Sequence, residues 1–351
     1  MLNLGKLFIV RSSNKNLMKN ILIITFFLSL SLAQSDKPFS ISVLSDISFS
    51  STDSSFNSSG LELVAMSHLR PNVMAMAYLH TPLDGSQSTV EEVYLNFMIS
   101  QFKLGYFRPD IGIQNKIHKH TLNFISQPNA IAYLFGSHSW ASLGFTFKRN
   151  FPTPWESKLG VSLLKNGIGE GDNSKGHSHA ISTTSIDSID GFSSLITIKN
   201  QFKILNNKTL SLGLNHVTGR EKEISGFDIK FTDRTDQFIS WFIQSEFFVG
   251  KISNLHHGIA YHPDEILTIG YIMIGRQFNQ KYHLGLIVDN WSYKLRRSQG
   301  TSISIYGDYA PSGDDLVFRL KLMKDEQIAF NGFNGIIEMS WALGSHRPKR
   351  Y

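Results

Sequence analysis

Apolar residues recur at every second position through most of the chain after residue 38, and this period constrains the fold more than any other feature. In one stretch, Ile337, Met339, Trp341 and Leu343 alternate with Glu338, Ser340 and Ala342. Period two predicts strands with one apolar and one polar face. Beyond the N-terminus, no run approaches the roughly 18 consecutive apolar residues of a membrane helix. If the chain crosses a membrane, we expect it to do so with strands.

The lengths of the predicted connections separate a membrane barrel from a soluble sandwich, which would show the same alternation. We predict about 16 strands (range about 14–18), each long enough to cross a bilayer when tilted. The connections after even-numbered strands are all short, and the long ones follow odd-numbered strands: 50–60, 108–138, 166–191 and 218–236. Bacterial outer-membrane barrels have short periplasmic turns and longer extracellular loops. We therefore expect an all-β fold, a transmembrane antiparallel β-barrel spanning 34–351, with long extracellular loops near 108–138 and 166–191.

The N-terminus has the pattern of a secretory signal peptide. Lys19 and Asn20 precede an apolar run over 21–32, and small residues end the run at Ala33. We predict a signal peptide over 1–33 with cleavage after Ala33, and Met18 is an alternative true start. An uncleaved anchor helix is the other interpretation of this run.

Removal of the signal peptide lowers the net positive charge of the chain. Residues 1–33 carry four basic residues and no acidic ones, so cleavage leaves 30 basic against 28 acidic residues. The pI near 9.3 therefore does not indicate a nucleic-acid partner. The chain has no cysteine, which excludes disulfides, thiolate metal sites and a lipidated N-terminal cysteine.

Several motifs resemble those of a bacterial family of outer-membrane porin-like barrels. They are Val90–Leu95, Leu104–Arg108, Ile117–His120, Gln127-Pro128, Pro152–Trp155 and the closing residues Leu343–Tyr351. Some members of that family are labelled porins, and others zinc-regulated TonB-dependent receptors. The resemblance implies an outer-membrane location. A TonB-dependent receptor needs a plug domain, but only residues 34–38 lie between the predicted cleavage site and the first strand. We therefore expect passive diffusion rather than TonB-driven uptake.

Histidines in the predicted loops are candidate metal ligands. The pairs are His118 with His120 and His177 with His179, and each H-x-H pair could offer two imidazoles to zinc or a similar divalent ion. Carboxylates such as Asp110, Glu170 and Asp172 could complete such a site. The alternative is a set of solvated loop histidines with no common geometry, in which case the protein needs no cofactor.

The long connection 108–138 is too long for a plain turn and retains many apolar residues, which is typical of a functional loop. One interpretation folds it into the lumen as a constriction. The other keeps it outside, either as a lid over the mouth or as an extracellular hairpin.

Charged residues on the polar faces of the strands predict what lines the barrel interior. By alternation, Glu246, Arg319, Lys321 and Glu338 point inward, and we expect the same of Lys199 and Arg276. A lining of mixed sign argues against strong ion selectivity, which comes from rings of one sign. Alternatively, these charges form ion pairs between strands and fill a closed barrel.

Together these patterns predict a porin-like channel in the bacterial outer membrane for small polar solutes or ions. The alternatives are a protein for zinc-linked uptake or binding, and a closed barrel that serves as a receptor or adhesin scaffold. We expect no enzymatic activity, because 176–180 matches a serine nucleophile elbow only loosely and lacks its strand and helix. The expected partners are outer-membrane lipid and small solutes or ions, not nucleic acid. Association into a homo-oligomer is left open.

Overall fold

The computed structural model of this chain describes residues 39–344, with gaps inside that range. The gaps are 53, 84–86, 123, 137–138, 166–167, 169–190, 220–221, 237–238, 253–254, 257–258, 261–264, 280, 295–297, 312 and 326–332. The predicted signal peptide lies outside the described residues, so its assignment stays a prediction.

Sixteen of the described strands form one closed antiparallel barrel. They are β1 Phe39–Ser50, β2 Ser55–Arg70, β3 Val73–Thr81, β4 Thr89–Phe97, β5 Phe102–Phe107, β6 Ser142–Pro152, β7 Glu156–Leu164, β8 Ser193–Leu205, β9 Lys208–Thr218, β10 Lys222–Arg234, β11 Ser240–Ile252, β14 Glu265–Gln277, β15 Tyr282–Tyr293, β16 Ser298–Tyr309, β17 Leu316–Asp325 and β18 Phe333–Gly344. Strands β12 Leu255–His256 and β13 Ile259–Ala260 form a separate two-stranded sheet. β1 pairs with β18, so every barrel strand has two neighbours and no open edge remains. The predicted fold class is confirmed.

One strand lies where the sequence predicted a loop. Residues 218–236 were expected to form a long connection, but β10 occupies most of this range and pairs with β9 and β11 along its length. Its alternation is hard to recognise because charged residues stand at both ends and Gly226 interrupts the middle. Backbone hydrogen bonds to β9 and β11 hold these residues in a strand, although the side-chain pattern does not predict one.

The opposite error occurs at 253–262, which the sequence predicted to be a barrel strand. The described residues of this range form the short strands β12 and β13, and β11 pairs directly with β14. Because the two errors compensate, the strand count is correct. Every second barrel connection is still short: 71–72, 98–101, 153–155, 206–207, 235–239, 278–281 and 310–315.

The outward-facing positions of the strands form an apolar belt. On β6, Leu143, Phe145 and Phe147 are exposed, whereas Thr146 between them is buried. Other strands expose the same residue types: Ile196, Ile198, Leu212, Leu214, Ile272, Ile274, Ile303, Ile305, Leu320 and Leu322. An apolar exterior of this extent is what contact with hydrocarbon requires of a barrel.

The connection between β5 and β6 fills much of the barrel interior. We call residues 108–141 the inserted segment; it contains a 3-10 turn at Lys119–Thr121 and helix α1, Asn129–Phe135. A further 3-10 turn, Gly313–Asp315, precedes β17. No helix in the described part of the chain is long and apolar enough to cross a membrane.

Candidate functional site

The inserted segment contacts inward-facing side chains on well-separated strands. Its Gln114 backbone N–H donates to Glu246 Oε1 on β11 at 2.9 Å. Arg319 Nη2 on β17, four strands further round the barrel, donates to the Leu122 carbonyl at 3.0 Å. On the nearly opposite wall, seven strands from β11, Arg108 Nη2 of the segment donates to Glu91 Oε2 on β4 at 2.8 Å. Contacts with nearly opposite walls place the segment inside the lumen. Of the two sequence-based interpretations, the described residues of the segment match the one in which the connection folds into the lumen.

Local backbone chemistry allows the segment to turn into the barrel. Gly112 has φ +62°, in the left-handed region, and a Cβ at this position would collide with the Glu246 carboxylate. The Gly112 N–H donates to Asn215 Oδ1 at 3.1 Å, and its carbonyl accepts from Lys199 Nζ at 2.6 Å. Glycine is therefore required for this close approach to the wall.

Residues 124–141, the apolar half of the inserted segment, pack as a small hydrophobic core inside the barrel. Pro128 begins α1 and Gly136 ends it. Ala130, Ile131 and Trp140 have no measurable solvent exposure. Aromatic pairs join this half to the wall: Tyr133 stacks on Trp291 at 4.6 Å, and Phe135 meets Phe248 edge-on at 5.7 Å between ring centroids. These contacts bury the described side chains of this half at the close packing of a protein interior.

Residues 108–122, the charged half of the inserted segment, lie against acidic residues of the wall. His118 Nε2 lies 2.8 Å from Glu92 Oε1, and Arg108 Nη2 donates to Glu91 Oε2 at 2.8 Å. Lys119 Nζ lies 2.9 Å from Asp46 Oδ2. Burial alone would lower the pKa of Lys119, but Glu338 and Asp46 raise it above its ordinary value. Compensating charges thus hold much of the charged half, although its Ile111 and Leu122 also belong to the hydrophobic core.

A β-bulge explains why two consecutive glutamates serve the same site. The register between β3 and β4 shifts so that Tyr78 pairs with Glu92 and Leu79 with Val90, leaving Glu91 as the extra residue. A bulge redirects a side chain that strict alternation would place on the other face. The carboxylates of Glu91 and Glu92 therefore both reach the charged half, although strict alternation along β4 would turn only one of them inward.

The residues predicted to line the pore fall into two groups. Lys199, Glu246, Arg319, Lys321 and Glu338 lie on the interior side of the wall. Several hold the inserted segment: besides the contacts above, Arg319 Nη1 donates to Glu338 Oε1 at 2.9 Å, and Lys321 Nζ donates to Ser126 Oγ at 2.8 Å. That they line a conducting path stays a prediction.

Arg276 corrects the prediction of an inward side chain. It is exposed on the outer face of β14, close to Phe278. The inward positions of this strand are apolar too, for example Ile269 and Met273, because they belong to the core inside the barrel. With both faces apolar, alternation could not tell inside from outside.

The predicted metal-binding histidines lie in different surroundings from those expected. His118 and His120 are buried in the lumen rather than exposed in an extracellular loop. The two rings have different nearest partners: His118 Nε2 lies 2.8 Å from Glu92 Oε1, whereas His120 Nε2 lies 3.2 Å from Glu62 Oε2. His177 and His179 lie outside the described residues. Glu62 was not among the predicted site residues. It is the one acidic residue in the apolar run 61–66, and this position could have indicated an inward-facing functional group.

Two lysines of the inserted segment stand out by their exposure. The side chains of Lys116 and Lys119 are 50% and 43% exposed, and the carboxylates that they pair with, Asp110, Asp46 and Glu338, are interior groups. Water therefore reaches the charged half from within the barrel. Both lysines border this water-accessible part of the lumen.

The barrel is similar to solved bacterial outer-membrane channels. The outer-membrane channel DcaP of Acinetobacter baumannii matches with a TM-score of 0.57 and 10% identity, covering 88% of this chain and 97% of that one. An anion-selective porin from Comamonas acidovorans matches with a TM-score of 0.55 and 11% identity, covering 88% and 100%. OmpT of Vibrio cholerae, solved in a trimer form, matches with a TM-score of 0.50 and 9% identity, covering 88% and 99%. No family model or curated protein matches the sequence. The comparisons thus show that this chain has the fold of an outer-membrane porin.

Proposed function

We propose that this protein is a porin-like channel in the bacterial outer membrane, through which small polar solutes or ions diffuse past the inserted segment. The observation that carries the proposal is the position of residues 108–141, inside the barrel and bonded to the nearly opposite strands β11 and β4. A segment so placed narrows the lumen without adding a separate domain.

The wall chemistry supports a polar path through a membrane. The belt of exposed Leu, Ile and Phe outside suits hydrocarbon, whereas the interior carries ionisable groups. Water reaches Lys116 and Lys119 from the lumen side of the segment. In this proposal solutes pass beside the charged half, while the apolar half closes the remaining cross-section.

Single-channel recording in planar bilayers tests the proposal. The wild-type protein should give discrete conductance steps, because a polar path bordered by lysines remains open. A variant with residues 113–135 replaced by a short Gly/Ser linker should give larger steps, since it removes the constriction. The barrel strands are untouched by this replacement, so both proteins can be compared in the same folded state.

The same experiment separates the channel from a closed scaffold. A wild-type protein that gives no steps, beside a shortened variant that conducts, would mean that the lumen is sealed and would overturn diffusion as the function. Absence of steps from both proteins would overturn the channel proposal altogether.

Self-association is a further part of this proposal. The Vibrio cholerae protein of similar fold was solved in a trimer form. We propose that this chain also forms a homo-oligomer, with the outer belt as the contact surface. Light scattering of the detergent-solubilised protein should give a multiple of the mass of one chain, and a monomer mass would contradict this part.

A further inference from the structure

The His118 ring lies between three wall carboxylates, and one of its nitrogens has no hydrogen-bond partner. Nε2 lies 2.8 Å from Glu92 Oε1. Nδ1 lies 3.3 Å from Glu91 Oε2 and 3.5 Å from Glu62 Oε1. Within the described part of the chain, this buried Nδ1 makes no hydrogen bond. Only 7% of the His118 side chain is exposed, so bulk water does not supply a partner.

The tautomer of His118 follows from these neighbours. An ionised carboxylate only accepts hydrogen bonds, so the Nε2 atom facing Glu92 carries the proton. In neutral imidazole, Nδ1 is then a lone pair that points at oxygens of Glu62 and Glu91. A lone pair aimed at two carboxylates is repulsive, so Nδ1 either carries a second proton, which makes the ring an imidazolium, or faces a bound cation. The geometry therefore calls for positive charge at this position, and a metal ion supplies it by displacing that proton.

The separations suit a metal ion with short bonds. Zinc binds histidine nitrogen and carboxylate oxygen at about 2.0–2.2 Å, which places neighbouring ligands of a tetrahedral site about 3.3–3.6 Å apart. The Nδ1 separations of 3.3 and 3.5 Å agree with that spacing. One ligand atom from each of Glu62, Glu91 and His118 lies within 4.8 Å of the other two. Small movements of the two carboxylates would bring all three atoms onto one ion.

Each of the three groups is held in place by a second partner. Arg108 Nη2 holds Glu91 at 2.8 Å, and His120 Nε2 lies 3.2 Å from the other oxygen of Glu62. The His118 ring stacks on Tyr78 with centroids 4.0 Å apart. A carboxylate behind the histidine, here Glu92, is the usual arrangement behind metal-bound imidazole. Glu62 and Glu92 are buried and Glu91 is partly buried, and the Arg108 guanidinium lies against Glu91 and Glu92. A divalent cation would balance the negative charge that remains.

We propose that Glu62, Glu91 and His118 bind one divalent transition-metal ion of the zinc type, with a fourth position open to water. His120 is a positioning residue here, not a ligand. The ion joins the charged half of the inserted segment to β2 and β4, and so fastens the constriction to the wall. This effect on the constriction rests on the proposed channel function, whereas the binding itself does not.

Titration of the untagged, detergent-solubilised protein with Co²⁺, followed by displacement with Zn²⁺, tests the site. We expect one Co²⁺ per chain, with the visible absorption of a tetrahedral complex. H118A and E62Q should abolish saturable binding, and E92Q should weaken it about 10- to 100-fold by removing the partner of the imidazole. Far-UV circular dichroism and the urea midpoint identify any variant that fails to fold.

Two matched controls make the result specific. H283Q changes another buried interior histidine, one that pairs with Asp308, and it should leave Co²⁺ affinity unchanged. The double variant H177A/H179A should also leave it unchanged. No saturable binding by the wild-type protein would show that the cluster holds ion pairs only and would overturn the proposal. Binding that survives both H118A and E62Q would overturn it as well.

The outcomes for site and channel can be told apart. Zn²⁺ should change the single-channel current of the wild-type protein and leave that of H118A unaltered. Metal binding without any conductance would support the site and refute the channel. Conductance without metal binding would refute the site alone.

Discussion

The two halves of the inserted segment meet the barrel interior by different chemistry. The apolar half, residues 124–141, packs its helix and Trp140 into a buried apolar core against β11, β14 and β15. The charged half, residues 108–122, meets carboxylates of β1, β2, β4 and β18, and Lys116 and Lys119 stay partly in water. In the proposed function, this difference lets the apolar half close part of the lumen while the charged half borders the path for ions.

The energetic character of the two contacts also differs. Apolar burial is non-directional and insensitive to salt, so the apolar half is a fixed anchor. Ion pairs next to water are screened and exchange partners with solvent ions. Substitutions in the apolar half should therefore act mainly on stability, and those beside the charged half mainly on conductance and on dependence on pH.

The largest effect on stability is expected from Trp140→Ala. This side chain is fully buried between the segment and the wall, and truncation of such a residue costs about 3–5 kcal/mol. The free energy of unfolding in urea measures the loss. Trp155→Ala is the matched control, because Trp155 is 42% exposed on the outer rim and should cost less. Equal losses would contradict a packed core inside the barrel.

Lys199→Met should have an intermediate effect. The Lys199 ammonium donates to the Gly112 carbonyl and pairs with buried Asp228 at 3.0 Å. Hydrogen bonds to charged groups contribute about 1.5–3 kcal/mol, and the change leaves Asp228 without its cation. The urea midpoint reports the loss, and adding Asp228→Asn should restore part of it. Lys158→Met, an exposed lysine of neighbouring β7, should be near neutral.

Asp110→Asn should have the smallest effect, and its dependence on pH is the informative part. Burial would raise the pKa of Asp110, but Lys116, Lys148 and Lys199 lower it below its usual 3.8. A depressed pKa contributes stability that is present above 3.8 and lost as the pH falls further. The difference in melting temperature between wild type and Asp110→Asn should thus be constant from pH 7 to pH 4 and shrink below. A difference that disappears already between pH 6 and pH 5 would contradict this assignment.

Much of the barrel could be predicted from the sequence, because hydrocarbon outside forces apolar residues onto alternate positions. The prediction failed at two strands where the apolar alternation is interrupted or where both faces are apolar. β10 carries charges at both ends, and β14 is apolar on both faces, so Arg276 was placed on the wrong side. β10 depends on pairing with β9 and β11, and the apolar inner face of β14 depends on the inserted segment. No local sequence pattern contains these neighbours.

The candidate site was predictable only in part. His118 and His120 were predicted as candidate ligands, but the sequence placed them outside the barrel, because a connection between strands is usually at the surface. Their partners Glu62, Glu91 and Glu92 come from strands distant in sequence. The bulge that turns both Glu91 and Glu92 inward is a matter of register, which alternation alone cannot specify.

The contrast between the two halves is tested most directly by thiol accessibility, since the natural chain has no cysteine. Lys119→Cys and Ala130→Cys place one thiol in the charged half and one in the apolar half, where Ala130 has no measurable exposure. With a negatively charged, water-soluble thiol reagent applied to single channels, Lys119→Cys should react quickly and its current should fall. Ala130→Cys should stay unmodified in the folded protein. Equal reaction rates at the two positions, or a Lys119→Cys current that does not change on modification, would contradict a path beside the charged half.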